Sequence, residues 1–342
     1  MNAGPAGDLR KGKWGQGGRD HLSFLVNGEL PLIDDLKAYA NVNYSDIENY
    51  NNVNPNYSQS KDNIIAIYPN GYQPRTFEDR VDTSIVAGIK LNKDEIGNFD
   101  ASVAWGKSIV ENRLFNSLSP SYGLNSKRSF YQGETESEST NINLDWNRAL
   151  SFAFAPKDWT LSSGLNYRHE SYGSVKPGEE QSWNFGGENI PAGQLNAGQP
   201  ARFGSVDIGG INPQDLGSVS RDVLGLYVGL EGQVTDQLEL GLAVRGEDYS
   251  DFGETFNGKI STRYKFSPEF ATRATFSTGY RAPSLAQLGQ QRTTFTGTWS
   301  TDGGTAAPGR TRLFKPNDPA VTAFGAKELD PAKSQNISAG FV

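Results

Sequence analysis

The sequence contains no cysteine, only two histidines and one methionine among its 342 residues. Without cysteine, disulfides and thiolate metal sites are excluded. No stretch approaches the roughly 20 consecutive apolar residues that a membrane-spanning helix requires. The formal net charge of −7 argues against nucleic acid as a partner, because binding to phosphates requires a basic face.

What the sequence does contain favours strands joined by loops. There are 39 glycines, and aromatic residues make up 11% of the chain, whereas hydrophobic residues reach only 36%. The mean hydropathy of −0.57 would ordinarily indicate a soluble protein. A β-barrel escapes that test, because only alternate residues of each strand face lipid while the lumen stays polar.

Strict alternation of apolar and polar residues is the dominant pattern. In residues 221–233, Leu224, Leu226 and Val228 share one side, opposite Gly225 and Tyr227. The same period of two, which is typical of a strand with one apolar face, recurs throughout the chain. We count about eleven such segments, each able to supply the about 9–11 residues of a transmembrane strand. The last of them runs from Ile337 to Phe341.

The connections between these segments alternate in length. Short links are expected near residues 31–34, 92–97, 148–158, 235–236 and 267–269. Longer connections are expected at 50–79, 111–137, 171–219 and 282–333. At the same end of the strands, only the connection at 250–255 is expected to be short. Short turns at one end and long loops at the other are typical of outer-membrane barrels. The sequence therefore predicts an all-β, antiparallel transmembrane β-barrel with long extracellular loops.

Aromatic residues lie where the two membrane interfaces would be. Phe99, Trp146, Trp159 and Phe266 are expected on the apolar face near the short turns, and Tyr44, Tyr167 and Tyr280 near the long loops. Aromatic girdles at both interfaces are expected of a barrel. The alternative is a soluble β fold, in which these rings are core residues.

Two segments resemble motifs of a known family. Residues 275–285 are similar to the "sTGfRAPsl" strand of TonB-dependent receptors; the matching positions are Thr278, Gly279, Tyr280, Arg281, Ala282, Pro283 and Ser284. Residues 329–336 resemble the family's "L-x-P-E-x-S-x-n" strand opening, with Ala332 in place of the usual Glu. The resemblance extends as a pattern through the other strands.

This resemblance implies a bacterial outer-membrane importer of ferric siderophores, haem, cobalamin or oligosaccharides. The implied fold is a roughly 22-stranded barrel in the lipid bilayer, plugged by an N-terminal domain. The implied energy source is the inner-membrane TonB–ExbB–ExbD complex. Residues 1–18 lack the apolar core of a signal peptide. We therefore expect residues 1–342 to be a partial barrel domain without plug or C-terminal strands, inactive in transport by itself.

Candidate contacts to an extracellular small molecule are aromatic residues of the long loops and arginines of the polar face. The loop aromatics are Tyr57, Tyr68, Tyr72, Trp183, Phe185 and Trp299. The arginines are Arg168, Arg245, Arg263, Arg273 and Arg281, of which Arg245 and Arg281 are the main candidates. The alternative reading is that the rings pack their own loops and the arginines are solvated lumen charges.

No residues of the sequence indicate an enzyme, a metal site or a cofactor. His21 and His169 lie on different strands without metal-ligand spacing, and the carboxylates Asp248, Asp251 and Glu254 do not match an EF-hand. An outer-membrane barrel enzyme and a soluble adhesin-like β protein remain as alternatives to an importer. An enzyme would require a nucleophile paired with histidine, and an adhesin would fold without detergent.

Overall fold

The computed structural model describes residues 17–297 and 308–342. Ten strands follow one another in chain order: β1 (Gly18–Ile33), β2 (Leu36–Asn52), β3 (Arg75–Lys93), β4 (Gly97–Phe115), β5 (Ser129–Leu150), β6 (Trp159–Pro177), β7 (Gly217–Gln233), β8 (Leu238–Tyr249), β9 (Gly253–Ser267) and β10 (Phe270–Arg281). A separate hairpin consists of β11 (Arg292–Gly297) and β12 (Pro308–Leu313), and β13 (Ala332–Phe341) pairs with β10. The main sheet thus has eleven strands, which confirms the predicted count.

Every neighbouring pair in this sheet is antiparallel, and the register keeps the apolar residues together. Leu165 pairs with Leu226, and Val228 pairs with Val244. The side chains of this face are open to the surroundings; Leu224 is 58% exposed and Phe276 is 40% exposed. A sheet that leaves such residues uncovered matches the expected lipid-facing wall, so the all-β barrel fold is confirmed.

The apolar band crosses the strands at an angle. The row of paired residues that starts at Val26 in the apolar segment of β1 ends at His169 and Asp222 on β6 and β7. On the same face of β7, the apolar residues begin only at Leu224, which lies closer to the short turns than Asp222 does. Strands of a barrel are tilted against its axis, so a band parallel to the membrane has to drift in this way.

Connections of two to eight residues join the strands at one end, at 34–35, 94–96, 151–158, 234–237 and 268–269. The long connections at the other end are shorter than expected, because the strands continue beyond the apolar band. β3 already begins at Arg75, and β5 begins at Ser129. In these extensions Glu134, Glu136 and Glu138 occupy the face that is apolar further down, so no period of two is visible.

The connection from 282 to 331 is structured where it is described. It contains α2 (Leu285–Gly289), the β11–β12 hairpin and α3 (Pro319–Thr322), while α1 (Glu180–Trp183) lies in the connection between β6 and β7. Within residues 17–297 and 308–342, no helix is long and apolar enough to cross a membrane.

The two outer strands of the sheet are β1 and β13, each paired on one side only in the described part of the chain. Since all neighbours are antiparallel and the number of strands is odd, β1 and β13 run in the same direction. A set of antiparallel strands that joins these two edges must itself contain an odd number of strands.

Candidate functional site

The long connections fold onto one another at the extracellular end of the sheet. We call the assembly of residues 53–74, 116–128, 178–216 and the β11–β12 hairpin the loop cap. Its small core consists of Ile64, Tyr72, Leu118 and Val206. The backbone N–H of Val206 donates to the carbonyl of Leu118 at 2.8 Å. The loop cap is therefore an ordered unit with its own buried residues.

Three of the predicted loop aromatics hold this cap together. Tyr72 is 1% exposed, and its hydroxyl donates to the carbonyl of Asp62 at 2.9 Å. Burial raises the pKa of Tyr72 well above its ordinary value, so the phenol stays protonated. Tyr68 stacks on Tyr72 with ring centroids 4.7 Å apart, and the indole N–H of Trp183 donates to the carbonyl of Gly178 at 3.0 Å.

The other predicted aromatics have different positions. Tyr57 and Phe185 are 42% and 40% exposed, so both rings are accessible at the surface of the cap. Trp299 lies outside the described residues. Contact of any of these rings with a ligand stays a prediction.

A cleft of about 180 Å³ separates the 202–210 segment from β11. Its lining includes Trp183, Arg202, Phe203, Ile208, Arg292 and Phe295. The rings of Phe203 and Phe295 meet edge to face at 5.2 Å. The guanidinium of Arg202 lies 5.0 Å from the centre of the Phe295 ring, and that of Arg310 lies 4.8 Å from Phe203. The cleft thus combines cationic groups with aromatic faces.

Asp215 attaches β11 and β12 to the rest of the cap. This carboxylate is 2% exposed and accepts from the backbone N–H and the hydroxyl of Thr293 at 2.6 and 2.9 Å. The guanidinium of Arg312 lies 3.5 Å away. Arg292 donates to the carbonyl of Gly209, and its burial lowers its pKa, although nearby Asp215 opposes that shift.

Asp207 also lines the cleft, and it joins two loops. The amide of Asn56 donates to its carboxylate at 3.3 Å, which links the 53–74 and 178–216 segments. Burial raises the pKa of Asp207 to about 6, while Arg202 opposes this shift and Asp62 adds to it. Its backbone is left-handed, with φ of 75°. Arg202 and Asp62 face each other at 4.0 Å.

The residues of this cleft were missed by the sequence analysis, except for Trp183. Arg202, Phe203, Arg292 and Phe295 lie in connections that have no periodicity, and their proximity results from loop folding. The only usable signal is that each arginine lies within three residues of a phenylalanine. That spacing is common and predicts no site.

The motif segment after β10 has a structural role in this chain. The side chain of Ser284 caps α2 by accepting from the N–H of Gln287 at 3.2 Å, and the Gln287 side chain accepts from the Ser284 N–H at 2.9 Å. This reciprocal capping box satisfies donors that the helix leaves free. Pro283 is buried, and its carbonyl accepts from Arg221 at 3.0 Å.

Arg221 was not singled out in the sequence, yet it is a buried hub. Its guanidinium donates twice to Glu170, at 3.1 and 3.3 Å, and once to Asp251 at 3.3 Å. It also lies 5.4 Å from the centre of the Tyr249 ring. Asp251, one of the three turn carboxylates considered for a cation, is therefore committed to this ion pair.

The expected position of Tyr280 in the aromatic girdle is wrong. Its hydroxyl contacts Glu247 and Tyr249, which share the polar face with Gly225. Pairing between β9 and β10 ends at Ser277, and the hydroxyl of Thr278 accepts from the Gly258 N–H at 3.0 Å. Beyond Ser277 this part of β10 pairs, among the described residues, with β13 alone, and the side chain of Tyr280 reaches the polar face on the side that β9 has left.

The two main candidate arginines lie on strands β8 and β10, and Arg281 is the last residue before the 282–331 connection. Arg245 donates to Glu247 at 2.8 Å on β8, and Arg281 is exposed at a position paired with Ala332 of β13. Their contact with a ligand likewise stays a prediction.

Comparison with known proteins identifies the family. The model of the TonB dependent receptor-like β-barrel matches residues 20–342. The chain belongs to this family. The family's members are receptors of the bacterial outer membrane that transport nutrients, so the chain is not an enzyme and the enzyme alternative is rejected.

Individual relatives of this TonB-dependent receptor barrel are distant. The vitamin B12 transporter BtuB of Vibrio vulnificus is 30% identical over 76 residues, which are 22% of this chain and 12% of that protein. The siderophore receptor PirA of Acinetobacter baumannii is 14% identical with a TM-score of 0.56, over 96% of this chain and 41% of that chain. The RagAB peptide importer has a TM-score of 0.53 at 10% identity, over 95% and 38%.

These structural likenesses show the fold alone. The chain spans less than half the length of the solved structures it matches. These likenesses therefore do not assign a ligand or an energy source to this chain.

Proposed function

We propose that this chain forms part of the barrel wall, together with the loop cap, of an outer-membrane receptor that imports a scarce small-molecule nutrient. A ferric siderophore or a similar anionic chelate is the proposed cargo, and the TonB–ExbB–ExbD complex is the proposed energy source. The observation that carries this proposal is the cleft of Arg202, Arg292, Phe203 and Phe295 in the loop cap, above a sheet with a lipid-type face.

The chemistry of the cleft favours a ligand with negative charge and planar groups. Guanidinium groups hydrogen-bond to carboxylates and catecholate oxygens, and aromatic faces stack on planar rings. The chain as a whole carries a net charge of −7, whereas the lining of this cleft has two arginines and one carboxylate, that of Asp207. Such a cleft at the extracellular side provides a first contact for an anionic cargo.

Binding to the chain in detergent tests the proposed cargo. We expect the iron(III) complex of 2,3-dihydroxybenzoate to bind saturably, as followed by quenching of tryptophan fluorescence. Arg202→Gln and Arg292→Gln should each weaken binding by about tenfold, since each removes a charged hydrogen-bond donor.

Arg75→Gln is the matched control. Arg75 also lies over aromatic rings, 4.7 Å from Tyr50 and 5.1 Å from Phe77, and it is not part of the cleft. Equal losses in Arg75→Gln and Arg202→Gln, or the absence of saturable binding, would reject the cleft as the cargo site.

Energy coupling is tested in cells with the complete receptor. We expect uptake of radioactive iron from the chelate to require both the receptor and an intact TonB gene. Uptake that persists without TonB would contradict the proposed partner while leaving the binding site untouched.

A further inference from the structure

A second cavity lies on the polar face of the sheet, next to the loop cap. It has a volume of about 360 Å³ and is lined mainly by Asn49, Asn51, Thr76, Glu78, Asn112, Leu114, Gln132 and Ile208. Ile208 also lines the arginine and aromatic cleft, so the 205–209 segment separates the two spaces. We call this second space the carboxamide cavity.

The register of three strands, β2, β3 and β4, places the asparagines together. Asn49 pairs with Glu78, which pairs with Asn112, and Asn51 pairs with Thr76 in the next row. Residues two apart on a strand share a face, so both rows project to the same side. That side also carries Tyr39 and Asp100, two residues of the polar face.

A bulge adds Gln132 to this set. The β4–β5 register shifts between Asn112 and Arg113, so that Gly133 and Tyr131 pair with consecutive residues and Gln132 is left over. Gly133 has φ of 113°, a conformation open to glycine. Bulges redirect side chains, often beside functional sites.

Gln132 is 2% exposed and only half satisfied. Its amide nitrogen donates to the hydroxyl of Ser205 at 3.1 Å, while its Oε1 has no hydrogen-bond partner among the described residues. A buried polar atom without a partner requires an explanation, and a ligand is one. The unpartnered amide oxygen is an observation independent of the row of asparagines, and Gln132 is a lining residue of the same cavity.

The lining is neutral apart from two charged side chains. The guanidinium of Arg113 is engaged with Asp79 at 2.8 Å and Glu111 at 3.3 Å. The carboxylate of Glu78 accepts from the Asn49 amide at 3.3 Å and is the other charged group of the lining. Carboxamides donate hydrogen bonds to hydroxyl groups and accept hydrogen bonds from them, and a carboxylate accepts them, whereas an anion would be repelled by Glu78.

We propose that the carboxamide cavity binds a neutral polyhydroxylated group, as in a sugar, on the inner wall below the loop cap. The inference rests on the proposed function, because cargo reaches the inner wall only if it passes the loop cap. The cargo then presents negative charge to the outer cleft and neutral hydroxyls to the inner cavity.

Two probes that differ in one group test this site. Methyl α-glucoside carries a neutral hydroxymethyl group where methyl α-glucuronide carries a carboxylate. We expect saturable binding of the glucoside by ligand-observed NMR, with the glucuronide at least about tenfold weaker. The chain is kept in lauryldimethylamine oxide, because glycoside detergents would compete for the cavity.

Glu78→Gln removes the charge and keeps the shape of the side chain. We expect it to bring the glucuronide to within about threefold of the glucoside. Asn112→Ala should weaken the glucoside by about tenfold through loss of a hydrogen-bonding group. If Asn112→Ala does not fold, Glu78→Gln tests the site on its own.

Asn98→Ala is the matched control for Asn112→Ala. Asn98 lies on the same face of β4 at its other end, where its amide donates to Asn147 at 2.9 Å. We expect unchanged glucoside binding in this variant. Absence of glucoside binding, no response of the glucuronide to Glu78→Gln, or equal losses in Asn98→Ala and Asn112→Ala would each overturn the proposal. If the iron complex still binds to the outer cleft, such a result rejects the inner site alone.

Discussion

The hydroxyl of Tyr227 on β7 donates a 2.6 Å hydrogen bond to Asp145 on β5, and its ring crosses Gly164 of the strand between them. A Cβ atom at Gly164 would lie 2.5 Å from the Tyr227 ring and 2.6 Å from Asp145. The same arrangement occurs between β2 and β4, where the ring of Tyr39 on β2 crosses Gly88 of β3 and its hydroxyl donates to Asp100 of β4 at 2.7 Å. The glycines thus allow tyrosines to span three strands of the inner wall.

Gly164→Ala is expected to destabilise the sheet by about 1–3 kcal/mol, because the added methyl displaces the Tyr227 ring and breaks its bond to Asp145. Chemical unfolding in detergent, followed by tryptophan fluorescence, measures this change. Gly106→Ala is the matched control: a Cβ there meets no atom closer than 3.8 Å. Equal effects of the two substitutions would show that the tyrosine bridge contributes nothing.

Arg221→Met is expected to cost about 3–5 kcal/mol in the free energy of unfolding. It leaves Glu170 and Asp251 without their shared partner and frees the carbonyl of Pro283. Protease cleavage between residues 282 and 331 should also become faster, since this contact ties that connection to β7. Arg263→Gln serves as control, because Arg263 is 44% exposed and 3.9 Å from Glu239. An unchanged cleavage rate in Arg221→Met would contradict the anchoring role.

The loop cap is expected to loosen as pH rises through about 6. Burial raises the pKa of Asp207 to about 6 from its ordinary 3.8, so the folded cap binds the proton more tightly than the unfolded loop. The stabilisation from protonated Asp207 is fully present below pH 3.8 and is lost as pH rises through about 6. Trypsin cleavage of the cap, compared between pH 5 and pH 7.5 and corrected for enzyme activity, measures the effect.

Asp207→Asn is the control for this pH dependence. Asparagine has nearly the same shape and tolerates the left-handed backbone at this position. The variant should show the same cleavage rate at both pH values. Persistence of the pH effect in Asp207→Asn would contradict its assignment to the Asp207 carboxyl, which Asp62 and Arg202 face.

The sequence was sufficient for the number of strands and for the two faces of the sheet, because a period of two marks each strand and its faces. It was insufficient where both faces are polar, as in the extension around Glu134 and Glu136, since no contrast marks the strand. Tyr280 was misplaced because the pairing of β10 with β9 ends three residues earlier, at Ser277, although its pairing with β13 continues.

The cleft of the loop cap had no equivalent signal. Arg202 and Phe295 are distant in the sequence and meet through the folding of two connections. The carboxamide cavity depends on a register between β2, β3 and β4 and on a bulge at Gln132. Period and composition do not specify pairing partners across long loops, so neither site could be predicted from the sequence.

The eleven-stranded sheet is expected not to form a channel by itself. Among residues 17–297 and 308–342, its edge strands β1 and β13 expose backbone N–H and C=O groups that lipid cannot satisfy, at several kcal/mol for each group. Closure onto itself would require a parallel pair, because β1 and β13 run in the same direction, and the other strand pairs of this sheet are antiparallel. Planar-bilayer recordings with the refolded chain measure this directly, with a complete outer-membrane porin as the positive control. Discrete, long-lived conductance steps from the chain alone would show that β1 and β13 pair and close the sheet. The expectation that the chain forms no channel by itself would then be wrong.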